Sequence, residues 1–217
     1  MSLRTTRRDF VLGVSTLALA AALSATPLFS QAFAQTFPPA ELMKAGPLGE
    51  QTMGSDKAPV TIIEYASMTC PHCANFAVNV LPKLKEQYIS TGKVRFIFRE
   101  FPFDALAAGA FMLARCTDKD KYFPLIEALF QQQSKWVVQK PMEPLLAIAK
   151  QAGFTQQTFE ACLANQKVLE GIEWVRNRAT EKFKVDATPT FFINGEMHRG
   201  EMTLDDMEKA IQPYLKA

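Results

Sequence analysis

Two short stretches of the chain are almost continuously apolar, which is the pattern of strands buried on both faces of a sheet. The first covers residues 60–66 and contains one charged residue, Glu64, and the second covers residues 94–99. Between them, apolar side chains recur every four positions from residue 76 to residue 88, which indicates one face of a helix. Pro82 lies inside this helix and is expected to kink or divide it. The order strand, helix, strand predicts a parallel βαβ unit.

Strand patterns disappear from the next part of the chain, where apolar residues follow helical spacing up to about residue 183. A glycine, a proline and a glutamine-rich turn separate the helical segments. We interpret the short glutamine run at residues 131–133 as the end of a helix. The predicted helices cover residues 105–116, 121–133, 141–152 and 155–182.

Strand patterns return near the C-terminus, in residues 189–193 and 196–199. Asn194 and Gly195 join these segments and are typical of a type I′ hairpin. A last helix begins at Thr203, whose hydroxyl can cap it. The sheet is therefore completed by strands far apart in sequence. We predict an α/β protein in which one domain is interrupted by an inserted all-helical domain, the first formed by residues 35–104 and 183–217 and the second by residues 105–182.

The first residues of the chain have the pattern of a bacterial export signal. Arg7 and Arg8 form a twin-arginine pair, an apolar stretch of about 15 residues follows, and a small-residue triplet ends at Ala34. We expect residues 1–34 to direct export to the periplasm and to be cleaved after Ala34. An uncleaved membrane anchor is the alternative, but the apolar stretch is shorter than the roughly 20 residues that a membrane-spanning helix needs.

Removing this segment balances the charge of the remaining chain. The whole chain has 24 basic and 22 acidic residues. The segment that ends at Ala34 contains three basic residues and one acidic residue, so 21 of each remain. A net charge near zero gives no basic patch that would attract nucleic acid or anionic lipid. Because 48% of the chain is hydrophobic, it can form a domain with a substantial core.

Cys70 and Cys73 stand three positions apart at the predicted junction between the first strand and the helix. A cysteine at a helix N-terminus meets unpaired backbone N–H groups, which favour the reactive thiolate. Pro71 fits the first helical position, where an N–H would have no partner. We expect the ring of His72 to donate a further hydrogen bond to the Cys70 thiolate. Stabilising that thiolate makes the disulfide with Cys73 a stronger oxidant.

Two other uses of the same thiols are open at this point. A structural zinc site needs a second pair of ligands, and the remaining candidates are not paired at short spacing: Cys116, Cys162 and His198. An inert structural disulfide between Cys70 and Cys73 would close a loop too small to stabilise the fold by much. Exchange chemistry is the interpretation that we favour.

Glu64 is the one charged residue in the first predicted strand. Burial without a cationic partner would raise its pKa, so that it could accept a proton from Cys73 and return it during exchange. The alternative is an edge position that leaves the carboxylate in water. We favour the proton relay.

These residues and their surroundings resemble the DsbA-like branch of the thioredoxin superfamily, a group of periplasmic thiol-disulfide oxidoreductases. The similarity extends from about Gly46 to the C-terminus and is greatest in TIIEYASMTCPHC, FIFREFPFD and ATPTFFINGEMHRG. The resemblance implies a thioredoxin fold in which Cys70 is the exposed nucleophile and Cys73 the buried resolving thiol. It also implies that Pro189 is a cis-proline beside the disulfide and that Thr188 offers its backbone to a substrate strand.

The same resemblance bears on Cys116 and Cys162, which lie 46 positions apart in the helical segment. Some DsbA relatives are expected to carry a second cysteine pair in this region. We therefore predict a disulfide, which would contribute at most about 4 kcal/mol by loop entropy. Two buried free thiols are the alternative.

The function that the resemblance implies is oxidation of reduced, unfolded exported proteins, with reoxidation by a quinone-linked membrane partner of the DsbB kind. No organic cofactor and no metal is implied. A disulfide isomerase or reductase of the same fold is the alternative, because DsbA itself typically has valine where this chain has Thr188. Dimeric isomerases carry a substantial N-terminal domain, which does not fit the short segment between the expected cleavage site and residue 60, so the isomerase is less favoured, with a small trimerising form left open. We expect a monomer. A copper or zinc carrier that uses Cys70 and Cys73 as ligands is a third interpretation.

Overall fold

A five-stranded mixed sheet forms the centre of the structure, a computed structural model that describes residues 36–216. The predicted export signal and its cleavage site therefore lie outside the described residues. The strands are Gln51–Met53 (β1), Val60–Ala66 (β2), Val94–Glu100 (β3), Thr190–Ile193 (β4) and Glu196–Arg199 (β5). Across the sheet they follow the order β1-β3-β2-β4-β5.

The two apolar segments predicted as strands are β2 and β3, and they pair in parallel, with Ile62 opposite Phe96. Because β4 pairs antiparallel with β2 on its other side, β2 is the central strand. The predicted hairpin joins β4 to β5, and Asn194 and Gly195 have φ values of 46° and 98°, both positive as a type I′ turn requires. The sequence does not predict β1, since three residues are too few for a periodic pattern.

The helix that follows β2 is irregular. It contains α2 (Pro71–Asn75) and α3 (Leu81–Leu84), and a π-helical turn follows each of them. Pro82 lies in α3, so the regular helix is interrupted next to it, as predicted. Proline has no N–H to bond to the preceding turn, and a π turn accommodates this gap. The apolar side still faces the core, where Phe76 and Leu84 are fully buried.

The chain between β3 and β4 is helical, as predicted. One expectation is wrong: residues 155–182 do not form a single helix. The Asn165 side chain accepts a hydrogen bond from the backbone N–H of Val168 and so begins a new helix. The helices are α4 (Ala105–Arg115), α5 (Tyr122–Gln131), α6 (Gln133–Trp136), α7 (Met142–Gln151), α8 (Gln156–Leu163) and α9 (Gln166–Phe183), with a short 3-10 helix at Lys119–Lys121.

Helices cover both faces of the sheet. On one face, Phe98 of β3 packs against Phe111 of α4 and Phe130 of α5, so the inserted helices share a core with the sheet. The C-terminal helix α10 (Leu204–Leu215) packs on this face as well. The long helix α9 and the short helix α1 (Pro39–Leu42) cover the other face. Across residues 36–216, none of the helices has the length and apolar character needed to cross a membrane.

Candidate functional site

The end of the central strand β2 and the start of α2 position the two thiols. Cys70 has an extended backbone, with φ −79° and ψ 122°, and it directly precedes the helix, in which Pro71 is the first residue. Cys73 lies within the first turn of the helix and is fully buried, whereas Cys70 is only partly buried. Both are free thiols, so the structure describes the reduced state. Cys70 is therefore the sulfur of the pair that an incoming thiol can reach.

Hydrogen bonds to its sulfur lower the pKa of Cys70 to about 5. The largest cause is a hydrogen bond from the Cys73 thiol, and the backbone N–H groups of Cys73 and His72 add to it. Partial burial of Cys70 opposes these effects. The Sγ atom of Cys70 also lies 3.3 Å from the Thr188 carbonyl oxygen, to which the thiol form donates. At neutral pH Cys70 is a thiolate, the form that reacts in exchange.

The ring of His72 does not take the place expected from the sequence. Its Nδ1 atom lies 2.8 Å from Oε2 of Glu201, and the Asn75 amide donates to the other oxygen of the same carboxylate. Both hydrogen bonds lower the pKa of Glu201. The group of His72 that lowers the pKa of Cys70 is its backbone N–H. An acidic residue in a polar loop gives no sequence signal that it contacts the motif, and Glu201 is therefore missed.

Glu64 lies inside the sheet, paired with Phe98 of β3 and Phe191 of β4, so the alternative of an edge position is wrong. The residue is only 1% exposed, and its Oε1 atom has no hydrogen-bond partner within the described residues. Burial raises the pKa of Glu64 well above its usual value, and the negative charge of Cys70 adds to this shift. Glu64 therefore holds its proton more strongly than an ordinary carboxyl group.

Cys73 has the opposite electrostatic setting from Cys70. Burial raises the pKa of its thiol well above the usual value, and the hydrogen bond that it donates to Cys70 raises it further. The negative charge of Cys70, and that of Glu64 when it is ionised, act in the same direction. One sulfur of the pair is thus ionised while the other keeps its proton, so Cys70 is the better nucleophile of the reduced pair.

The start of β4 brings a second segment of the chain to the thiols. The peptide bond between Thr188 and Pro189 is cis, as the resemblance implied. Since Thr190 of β4 pairs with Tyr65 of β2, this bond lies beside the end of β2 that leads to Cys70. The contact between Cys70 Sγ and the Thr188 carbonyl joins the two segments. Sequence positions more than a hundred residues apart therefore meet at one site.

Two side chains at the start of and within the helical segment form hydrogen bonds with residues 68–70. The sequence does not predict either contact. Oδ2 of Asp104 accepts a hydrogen bond of 2.6 Å from the Thr69 hydroxyl, while its Oδ1 caps α4. The Gln133 side-chain amide donates to the carbonyl oxygens of Met68 and Cys70, at 2.8 and 3.0 Å. A cap at Asp104 can be recognised from sequence, but its contact with a distant turn cannot.

The other predicted residues lie outside this group. Cys116 and Cys162 form a disulfide that joins the end of α4 to α8, with Cα atoms 6.1 Å apart. His198 is on β5, and its Nε2 atom lies 3.7 Å from the carboxylate of Glu196. Residues 36–216 contain no group of three or more His, Cys, Asp or Glu side chains that could hold a metal ion.

An open apolar groove of about 690 Å³ lies between α4 and the helices α7, α8 and α9. Phe103 and Met142 line it and are each 51% exposed. Phe103 directly precedes Asp104, which bonds to Thr69 next to the first thiol. One end of the groove therefore lies near the Cys70 sulfur.

Known proteins with similar sequences are described as acting in disulfide chemistry. A family model described as Thioredoxin matches residues 48–213. A Bacillus cereus protein described as a probable disulfide bond formation protein D is 33% identical over 177 residues, which cover 77% of this chain and 79% of that protein. A Rickettsia felis protein, provisionally described as a protein-disulfide oxidoreductase, is 31% identical over 169 residues, or 77% of this chain. The match spans about three fifths of the length of the Rickettsia relative, 60%.

Solved structures with the same fold include alpha-DsbA1 from Wolbachia pipientis. It has a TM-score of 0.75 and 34% sequence identity to this chain, and the match covers 81% of this chain and 95% of that one. The oxidised form of BdbD from Bacillus subtilis has a TM-score of 0.68 and 24% identity, and covers 77% of this chain and 94% of that one. The second similarity supports the fold alone.

Proposed function

This chain belongs to the thioredoxin family, in its DsbA-like branch, and from that premise we propose that it introduces disulfide bonds into exported proteins. The observation that carries this proposal is the contrast between the two sulfurs of one motif. The pKa of Cys70 is lowered to about 5, while the pKa of buried Cys73 is raised well above its usual value. A reduced pair stabilised by its thiolate makes the oxidised pair a strong oxidant.

The reaction begins with the Cys70–Cys73 disulfide. A substrate thiolate attacks Sγ of Cys70, so that a mixed disulfide forms and Cys73 leaves as a thiolate that takes up a proton. A second substrate thiolate then attacks the substrate sulfur of the mixed disulfide, and Cys70 leaves as a stable thiolate. The substrate is oxidised to its disulfide and the enzyme is reduced to the dithiol.

Glu64 exchanges the proton with Cys73 in this scheme. The leaving sulfur is buried and has a raised pKa, so it must gain a proton rather than persist as an anion. Glu64 interacts electrostatically with Cys73 and has a pKa raised by burial, so its carboxyl group holds a proton that it can donate. When the dithiol is reoxidised, the Glu64 carboxylate takes the proton back.

An unfolded polypeptide is the substrate that best suits the surroundings of Cys70. The backbone of Thr188 lies beside the sulfur and can pair with an extended segment as an added strand. The groove that begins near Phe103 offers an apolar surface to side chains that a folded protein would bury. Both features bind chain segments without requiring a particular sequence.

We infer the location and partners from the predicted export signal and from the family. Twin-arginine export would deliver the protein to the periplasm, where disulfides persist. Reduced proteins that arrive there are its substrates. A quinone-linked membrane protein of the DsbB kind reoxidises the dithiol, and the chain acts as a monomer without organic cofactor or metal.

Titration of the Cys70–Cys73 pair against glutathione tests this function. We expect a potential near the oxidising end of the range from about −270 to −120 mV that thioredoxin-fold proteins span. The Cys70→Ser variant, which cannot form the disulfide, serves as the inactive control. A potential near −270 mV, the value of a reductase, would contradict the proposal.

A disulfide isomerase is the second candidate, because Thr188 precedes the cis-proline where DsbA itself typically has valine. The two activities are separated by their substrates. An oxidase should accelerate the refolding of fully reduced RNase and act weakly on scrambled RNase, whereas an isomerase should do the reverse.

A further inference from the structure

The glutamine run at 131–133 was expected to end a helix, but only Gln131 does so, as the last residue of α5. Gln133 opens α6, and its Nε2 atom lies 2.8 Å from the carbonyl oxygen of Met68 and 3.0 Å from that of Cys70. Both distances are those of normal hydrogen bonds. One side chain from the helical insert therefore holds two carbonyl groups of the turn that carries the reactive sulfur.

Contacts within and around α6 hold Gln133 in position. Trp136, the last residue of α6, is fully buried, and its indole N–H donates to the carbonyl oxygen of Leu129 at 2.8 Å. The backbone N–H of Val137 donates to the carbonyl oxygen of Gln133 at 2.9 Å. These contacts hold α6 in place and so fix the side-chain amide of Gln133. The amide can therefore determine the position of the turn.

The two carbonyl groups decide where the sulfur of Cys70 points. The turn is closed by a hydrogen bond from the Cys70 N–H to the carbonyl oxygen of Ser67, and the Cys70 carbonyl also accepts from the N–H of Ala74 in the helix. Gln133 bonds to the peptide plane that precedes Thr69 and to the plane that follows Cys70. With these planes fixed, the extended backbone of Cys70 directs its side chain at the helix N-terminus.

Loss of the Gln133 amide should affect the carbonyl group of Met68 most. This residue is fully buried, so its carbonyl group cannot exchange the lost donor for bulk water. The turn would then have to shift to satisfy the carbonyl, and the sulfur would move with it.

We propose that Gln133 is a positioning residue, whose amide holds the Met68–Cys70 turn so that the Cys70 sulfur faces the backbone N–H groups of His72 and Cys73. The inference rests on the proposed thiol-disulfide exchange at Cys70. It assigns to the inserted helices a part in setting the reactivity of the thiol, in addition to closing the core.

The test compares Gln133→Met with Gln131→Met in the full chain. The first variant keeps the length of the side chain and removes both donors, and the second makes the same change at an exposed glutamine of the same run. Thiolate absorbance gives the pKa of Cys70, and a glutathione titration gives the equilibrium constant of the disulfide. For Gln133→Met we expect the pKa to rise by about one unit and the pair to become about tenfold less oxidising, which is about 30 mV. Gln131→Met should match the unchanged protein in both measurements.

A purely structural role predicts another pattern. In that case Gln133→Met would lower the Tm of the oxidised and reduced forms equally and leave the pKa of Cys70 unchanged, which would overturn the inference. Gln133→Glu gives an independent variant of nearly the same size, in which a carboxylate faces two carbonyl oxygens. It should raise the pKa of Cys70 more than Gln133→Met does, and an unchanged pKa would again overturn the inference. If the unchanged protein itself has an ordinary thiol pKa at Cys70, the proposed function fails instead.

Discussion

Raising the pH from 5 to 8 should stabilise the reduced protein relative to its oxidised form. Only the reduced form has a Cys70 thiol that can ionise. Its pKa is about 5 in the folded state, against about 8.5 for an unperturbed cysteine in the unfolded chain. A lowered pKa contributes stability that is complete above the unfolded value and is lost as the pH falls through the folded value. The oxidised protein lacks this contribution at every pH.

The size of the effect at pH 7 follows from the distance between this pH and the folded pKa. That distance is about two pH units, and each unit corresponds to about 1.4 kcal/mol. Because Cys70 is only partly buried, solvent screens part of this interaction, and we expect about 2 kcal/mol. For a domain of this size, 2 kcal/mol corresponds to a Tm difference of roughly 4–8 °C.

The assay is thermal unfolding of both forms across the pH range, followed by circular dichroism. Subtracting the Tm of the oxidised form from that of the reduced form removes the effects of groups that titrate alike in both. The difference should increase from pH 5 to pH 8 and level off near the unfolded pKa, about 8.5. In the Cys70→Ser variant the reduced protein should lose this pH dependence. A difference that stays constant across the range would refute the lowered pKa of Cys70 and the reasoning built on it.

Three further changes have defined outcomes. Glu64→Gln should reduce the rate of disulfide exchange about 100-fold at unchanged fold, because general acid–base catalysis contributes about this much or more; stopped-flow fluorescence checks it. Replacing Cys116 and Cys162 by alanine should lower the free energy of unfolding by at most about 4 kcal/mol in urea denaturation and leave the Cys70–Cys73 potential unchanged. Arg115→Leu should cost about 3–5 kcal/mol of stability in the same assay, because it leaves the fully buried carboxylate of Glu100 without its ion-pair partner.

Each change has an outcome that contradicts its premise. Exchange rates unaffected in Glu64→Gln would exclude the proton relay. A shifted potential after removal of the second disulfide would mean that the helical segment adjusts the active site through that bond. Replacing Arg115 and Glu100 together by apolar residues should cost less than Arg115→Leu alone, and an equal cost would show that the ion pair is not the cause.

Local patterns decided much of the fold. Nearly continuous apolar runs predicted β2 and β3 because strands covered on both faces have no polar side, and the run of residues 189–199 predicted the hairpin through its Asn194 and Gly195 turn. The break between α8 and α9 was missed, since the cap at Asn165 lies within an otherwise helical pattern. The strength of the local pattern, rather than the length of the element, distinguishes the strands and the hairpin that were predicted from the helix break that was not.

The sequence by itself determined that Cys70 and Cys73 stand at a strand-to-helix junction, because both the motif and the change of periodicity are local. Tertiary structure alone decided the surroundings of these thiols. The pairing of β4 with β2 buries Glu64, the loop before α10 holds the His72 ring, and the insert brings Gln133 to the turn. Contacts between residues this far apart depend on how elements pack, and a side chain carries no local mark of the distant group that it will meet.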